Sequence, residues 1–314
     1  MTVNEIVTNQ IIHKLDEAEK TGKVYYWVKP FAQGAPKVPL SYDKSYEYSG
    51  VNRLLLEPDE YLTKNKANEL NCHIRKGAKA NMVVFFNVVP KKDSNGEVVL
   101  DKNGDVVMRG FLKYYQVYSR SDVLDKGEHN LPSKLNFKRY SHAEQTEQMR
   151  QALVAFNSMI EKYCHANKIK VEVIKDGTVA YFSPKHNTIR IPDIDNFRSI
   201  YEYAHTVAHE ITHSTMIPLN RQGGTSKELY SKEELCAEIG AEMIIQNCGI
   251  PDDRQYKNNT IAYLQGWSSY LRNKKQEIVY AAAKAQEASE LVMSYAKERE
   301  RNIDISHDFD GEER

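Results

Sequence analysis

His209-Glu210-Ile211-Thr212-His213 lies in a stretch with helical periodicity. Two histidines four residues apart on a helix share one face, a turn apart, so both imidazoles can reach one ion. The glutamate after the first histidine is turned by about 100° around the axis, so it can approach a water without ligating the metal. That arrangement suits zinc-dependent hydrolysis. Zn2+ on His209 and His213 acidifies the water, and Glu210 takes the water's proton and later returns it to the leaving amine.

A pattern with three fixed positions also arises by chance, so its surroundings must carry the reading. Phe197, Ile200, Ala204, Val207, Ala208, Ile211 and Thr215 recur at helical spacing. Asp193, Asp195 and Asn196 are the expected N-caps, and Pro218 the expected stop. His205 stands one turn earlier on the same side. Three stacked histidines span about 12 Å, too far for one ion, so His205 is expected to pack or hydrogen-bond.

Catalytic zinc needs a third protein ligand and one open position. Residues Ser231 to Ala241 are expected to form a second helix opening on Ser231. On it, Glu234 and Glu238 share a face that Leu235, Ile239 and Met243 avoid. Such a pair fits one ligand and one carboxylate that orients a ligand, against the plain alternative of first-turn acidity complementing the helix dipole. Cys236, in the apolar run, is expected to pack. Tyr230 or Tyr263 offers a neutral donor to an oxyanion, and the sequence does not choose between them.

At 314 residues the chain can bury a substantial core in two domains, and its 43 basic and 43 acidic residues cancel. A mean hydropathy of -0.63 without a long apolar run excludes a helical membrane span. The first 23 residues lack the apolar centre of a signal peptide, which sets the expectation of a cytoplasmic protein. Cys72, Cys164, Cys236 and Cys248 are scattered and fit free, mostly buried thiols.

The expected fold class is α+β in two domains. A small mixed α+β domain covers 1–125, a polar linker 126–142, and a domain with a small sheet and the metal helix 143–314. In the first, residues 1–22 read as a helix, Asp59 to Asn71 as a short helix and Met82 to Val89 as a buried strand. Lys91 to Gly104 carries the turn residues of a hairpin tip, and a strand follows from Gly110 to Val117. In the second, a helix from Ala143 to His165 precedes strands at Val171 to Ile174, Val179 to Ser183 and Thr188 to Ile191. The last of these is expected at the sheet edge, open to an extended peptide. Helices around Tyr263 to Tyr270 and Gln276 to Arg301 close the chain, and no internal repeat stands out.

Between Lys64 and Lys92 seven basic residues face one acid, Glu69, in an otherwise neutral chain. Tyr25, Tyr26, Trp27, Phe31, Tyr46 and Tyr48 lie nearby in sequence. Rings and lysines interleaved in this way suit single-stranded nucleic acid, because bases stack on rings while cations follow phosphates. Composition alone favours a small aromatic core with a solvated basic face.

The chain resembles the ArdC-type antirestriction proteins of mobile elements. The resemblance rests on Trp27 to Phe31, Tyr48 to Asn52, Ile74 to Lys79 and Phe111 to Tyr118. It continues through Tyr201 to His213, Tyr230 to Gly240 and Tyr263 to Trp267. It implies an N-terminal single-stranded DNA-binding domain, with Trp27, Lys29, Asn52, Arg75, Lys76 and Lys79 as candidate contacts. It implies a zincin-like, gluzincin-type metallopeptidase domain behind, acting on a protein or peptide. There Glu210 is the base, His209, His213 and Glu234 hold the metal, and Glu238 orients a ligand. The chain departs from the family pattern at Ser214, Tyr61 and Ala78. A non-catalytic DNA-shielding protein with a structural metal, or a protease that cleaves a repressor, are the rival functions.

Overall fold

The structure, a computed structural model, describes residues 1–21, 32–33, 37–43, 46–134, 138–139, 142–221, 226–250 and 270–307. Trp27, Lys29 and Tyr263 lie outside the described residues. So does the expected helix from Tyr263, apart from its last residue, Tyr270.

The first half is a mixed α+β unit. Its elements are α1 (Val3–Thr21), β1 (Ala32–Gln33), β2 (Leu40–Ser41), α2 (Asn52–Leu55), β3 (Glu60–Leu62), α3 (Lys64–Glu69), β4 (His73–Ile74), β5 (Asn81–Pro90), β6 (Met108–Ser119) and β7 (Val123–Leu124). A four-stranded sheet runs β2-β3-β6-β5, and β4 pairs with β7. The helix expected from Asp59 to Asn71 divides in two. Glu60–Leu62 is a fully buried strand, and Thr63 then caps α3 by accepting from the Lys66 N–H. Burial on both faces overrides the helical spacing there.

Strand β5 is buried only at Met82, Val83 and Val84. Beyond them it continues with β6 as a long antiparallel ribbon, paired through Pro90 and Met108 and exposed along its outer part. At its tip, Asp93 accepts from the Asn95 and Glu97 N–H groups, and Asp101 likewise from Asn103 and Asp105. Gly96 and Gly104 take the left-handed conformation that each turn requires. The same turn thus occurs twice, eight residues apart, a short repeat not expected from the sequence.

The second half holds β8 (Lys138–Arg139), α4 (His142–Ala166), β9 (Lys170–Ile174), β10 (Tyr181–Ser183), β11 (Thr188–Pro192), α5 (Ile200–Ser214), α6 (Lys227–Cys248) and α7 (Glu277–His307). Strand β11 lies in the middle of a three-stranded sheet, parallel to β9 and antiparallel to β10. The expected edge is therefore corrected: β11 returns between β9 and β10, which are the two edge strands. The caps move as well. Asp193 caps a short 3-10 turn, and Ser199 caps α5 by accepting from the Glu202 N–H. Ser226, not Ser231, caps α6, which starts one turn earlier than expected.

One core joins α4, β11, α5, α6 and α7 through Phe156, Tyr163, Ile189, Ile211, Ile244 and Val292. A second core spans both halves of the chain. Val7 and Ile11 of α1, Leu54 and Leu55 of α2, and Met82 and Val84 of β5 pack with Leu235, Ile239 and Met243 of α6 and with Ala282 of α7. Arg53, 3 % exposed, crosses the same boundary to the Gln246 and Asn247 side chains at 2.6 and 3.1 Å. Part of the expected linker packs on the first half: Leu131 is buried, and Ser133 donates to Glu60. All four cysteines are free, and no described helix is long and apolar enough to cross a membrane.

Candidate metal centre

Helix α5 presents its two sides to different partners. Ala204, Val207, Ala208 and Ile211 face the core, while His205, His209 and His213 line the side that meets α6. The two helices approach closely where Gly240 lies on Thr212: a Cβ there would stand 2.5 Å from the Thr212 Cγ2. Thr212 is fully buried and cannot yield. The missing side chain therefore sets how far the carboxylates of α6 reach toward the imidazoles.

At that contact the Nε2 atoms of His209 and His213 stand 3.1 Å apart. The Glu234 carboxylate lies 3.6 Å from His209 Nε2 and 3.4 Å from His213 Nε2. One donor atom from each of the three residues falls within 4.8 Å of the others. Both Nδ1 atoms are held from behind. Glu238 lies 3.2 Å from that of His209, and Glu233 lies 3.3 Å from that of His213. Such bonds fix the tautomer that leaves Nε2 facing inward. Two inward nitrogens and one carboxylate, each oriented by a partner, fit a divalent cation.

Charge is unevenly distributed here. Burial opposes the protonated form of His209, but the Glu234 and Glu238 carboxylates outweigh it and push its pKa up to about 10. His213 is raised against burial by Glu233 and Glu234. Glu234 and Glu238, despite burial, are held below the usual carboxylate range by the imidazoles they contact. Glu210 goes the other way. Only 7 % exposed, it is raised by burial, although His209, His213 and the Phe182 backbone N–H partly oppose the shift. Phe182 is the central residue of β10, an edge strand of the small sheet, so Glu210 stands beside that edge.

Among the other expected residues, Tyr230 is 59 % exposed, and the charge of the nearby Glu234 carboxylate raises the pKa of its hydroxyl. His205 lies 3.2 Å from Glu238 and 3.5 Å from Glu242, a hydrogen-bonding role as expected. Cys236 is buried in the shared core, which pushes its thiol up to about 12. Ser214 is also buried, bonded to the Tyr163 hydroxyl at 3.1 Å.

Sequence reasoning missed Glu233 and Arg221. Arg221 grips Glu233 with Nη2 at 2.7 Å and Nε at 3.2 Å, and donates to the Thr212 carbonyl at 2.8 Å. A cation just past the end of α5, followed by adjacent glutamates in the next helix, was the available signal.

The candidate DNA contacts scatter. Asn52 is corrected: it is buried, and its amide bonds both the N–H and the carbonyl of Val84, clamping α2 to β5 away from solvent. Arg75 is exposed but spans Ser121 and Asn130. Lys76 and Lys79 are exposed beside the turn at Gly77.

Residues 1–118 match the N-terminal domain of anti-restriction factor ArdC, and residues 158–284 match the zincin-like metallopeptidase family. The chain carries an ArdC-type N-terminal domain and a zincin-like metallopeptidase domain. Its fold matches the metal-free crystal structure of the antirestriction ArdC protein from the R388 plasmid. The TM-score is 0.65 at 26% identity, over 94% of this chain and 98% of that one. The Mn(II)-bound crystal structure of the R388 protein gives a TM-score of 0.60 at 23% identity, over 95% and 99% of the two chains. The DNA primase TraC of Escherichia coli is 25% identical over 307 residues. That alignment takes in 92% of this chain but 27% of the primase, so the chain spans about a quarter of that curated relative. The zincin-like fold implies a metal ion, and the His209, His213 and Glu234 donors are placed to hold one.

Proposed function

We propose that this protein is a metal-dependent peptidase joined to a single-stranded DNA-binding half. The observation that carries the reading is Glu210. A structural metal site has no use for a buried carboxylate raised toward its neutral form beside the ligands and an edge strand. His209, His213 and Glu234 would hold the metal, and zinc suits two imidazoles and one carboxylate. When bound, the ion supplies Lewis acidity that lowers the pKa of a water and polarises a carbonyl.

The chain's own residues supply the rest. Strand β10 offers backbone groups to an extended peptide on its open side. The Glu210 carboxylate takes a proton from the attacking water and delivers it to the departing amide nitrogen. The Tyr230 hydroxyl, near Glu234, is the described candidate for donating to an oxyanion. Glu238 and Glu233 keep the two imidazoles oriented.

The first half would bring this chemistry to proteins sitting on single-stranded DNA, in an antirestriction role like the one named for the R388 protein. The test is incubation of protein-loaded single strands with wild type, Glu210→Gln, and wild type plus chelator. Wild type alone should degrade the loaded protein. Equal survival in all three arms contradicts the reading. Loading with manganese in place of zinc is the comparison that the Mn(II)-bound R388 structure suggests.

A further inference from the structure

The β5–β6 ribbon has two chemically different faces. In an antiparallel register, paired residues point to the same side. One face carries Phe86 with Leu112 and Val84 with Tyr114, and no charge. There the Phe86 ring lies over Gly110. The opposite face carries Val83 with Tyr115, Phe85 with Lys113, Asn87 with Phe111 and Val89 with Arg109.

That second face is ordered for stacking. Phe85 and Tyr115 meet edge to face with ring centroids 5.4 Å apart, and the Lys113 Nζ lies 5.4 Å from the centre of the Phe111 ring. Tyr115 is 46 % exposed, and Arg109 and Lys113 stand in solvent. At its root Val83 joins the Tyr48 and Tyr61 cluster, so the face is anchored on a rigid body. Same-side neighbours along a strand are about 7 Å apart, which alternates ring, cation and ring from Phe111 to Tyr115.

Along the two strands the charge is of one sign. From Asn81 to Lys92 and from Val106 to Ser119 the strands contain Lys91, Lys92, Arg109 and Lys113 and no acid. The nearest acids, Asp93, Glu97, Asp101 and Asp105, lie at the tip, where Asp93 and Asp101 are folded into its turns.

We propose that this face binds single-stranded nucleic acid, with bases stacked on Phe111 and Tyr115 and phosphates along Arg109 and Lys113. Charge complementarity selects a polyanion, and the exposed Tyr115 ring with the half-buried Phe111 ring selects one whose bases are free to stack. The inference rests on the single-strand-binding reading above and moves its contact surface from the segment before β5 onto the ribbon.

Binding of labelled oligo(dT) of about 20 nucleotides, titrated over a range of salt, tests it on the full-length chain. Phe111→Leu/Tyr115→Leu should weaken binding by at least about tenfold while leaving the salt slope unchanged. Arg109→Ala/Lys113→Ala should flatten the slope by about 1.4, two phosphate contacts on a single strand. Lys76→Ala/Lys79→Ala should weaken binding less than either. Unchanged circular dichroism and metal content show that the variants are folded. If wild type binds and both ribbon variants bind equally well, the ribbon is not the surface, although the single-strand reading stands. If wild type does not bind, both fall. A change from dimer to monomer in sedimentation, with DNA affinity intact, overturns the proposal in favour of a second copy of the chain.

Discussion

His213 touches two carboxylates, Glu234 through Nε2 and Glu233 through Nδ1, and Arg221 fixes the second of these. A metal-facing imidazole loses its orientation when the partner behind it is removed. Glu233→Ala should therefore lower metal affinity about 10–100-fold, read by competition with a chromogenic chelator. Glu233→Gln, which retains an acceptor, should recover part of the loss, and equal affinity in all three proteins would refute the role. Glu210→Gln should keep the metal and lower peptide hydrolysis by about 10²–10⁴-fold. His205 gives a prediction in pH. Burial opposes its charge, but Glu238 and Glu242 raise it from 6.5 to about 9. A raised histidine stabilises the fold fully below about 6.5 and loses that contribution as pH rises through about 9. Metal-free wild type should lose stability across that window in denaturant titrations, and His205→Gln should lose less.

Helices α5 and α6 were the most legible elements, because an apolar stripe at helical spacing survives any detail of packing. The HExxH spacing on α5 and the four-residue step from Glu234 to Glu238 likewise placed those side chains toward one another. The caps were less legible, since several Ser, Asp and Asn residues near each helix start are chemically equivalent as N-caps. The order of the small sheet was not legible either. Local alternation marks β10 and β11 as strands but carries nothing about which one pairs with β9. Asn52 misled because the same amide can read a base or clamp a strand, and only burial tells them apart. Gly240 has the sharpest consequence at this scale. Gly240→Ala should separate α5 from α6 at Thr212 and destabilise the protein by about 1–3 kcal/mol, measured by urea unfolding. It should weaken metal binding as well, although Gly240 is not at the metal. A variant as stable and as tightly metal-bound as wild type would contradict the packing argument.

The two halves of the molecule are joined through α6. One side of this helix carries Glu234 and Glu238, while another buries Leu235, Ile239 and Met243 against α1, α2 and β5. The first half thus forms the back wall of the helix that supplies the carboxylates of the candidate metal centre. A fragment of residues 143–314 should aggregate or melt early, because its share of that core would face water. A soluble fragment with wild-type thermal stability would show that the halves are independent. The proposed chemistry depends on one ion between the two helices. Metal content of dialysed protein, wild type beside Glu234→Ala, measures that directly. One equivalent of a divalent metal in wild type and far less in the variant is the expected result; one equivalent held equally tightly by both would contradict it.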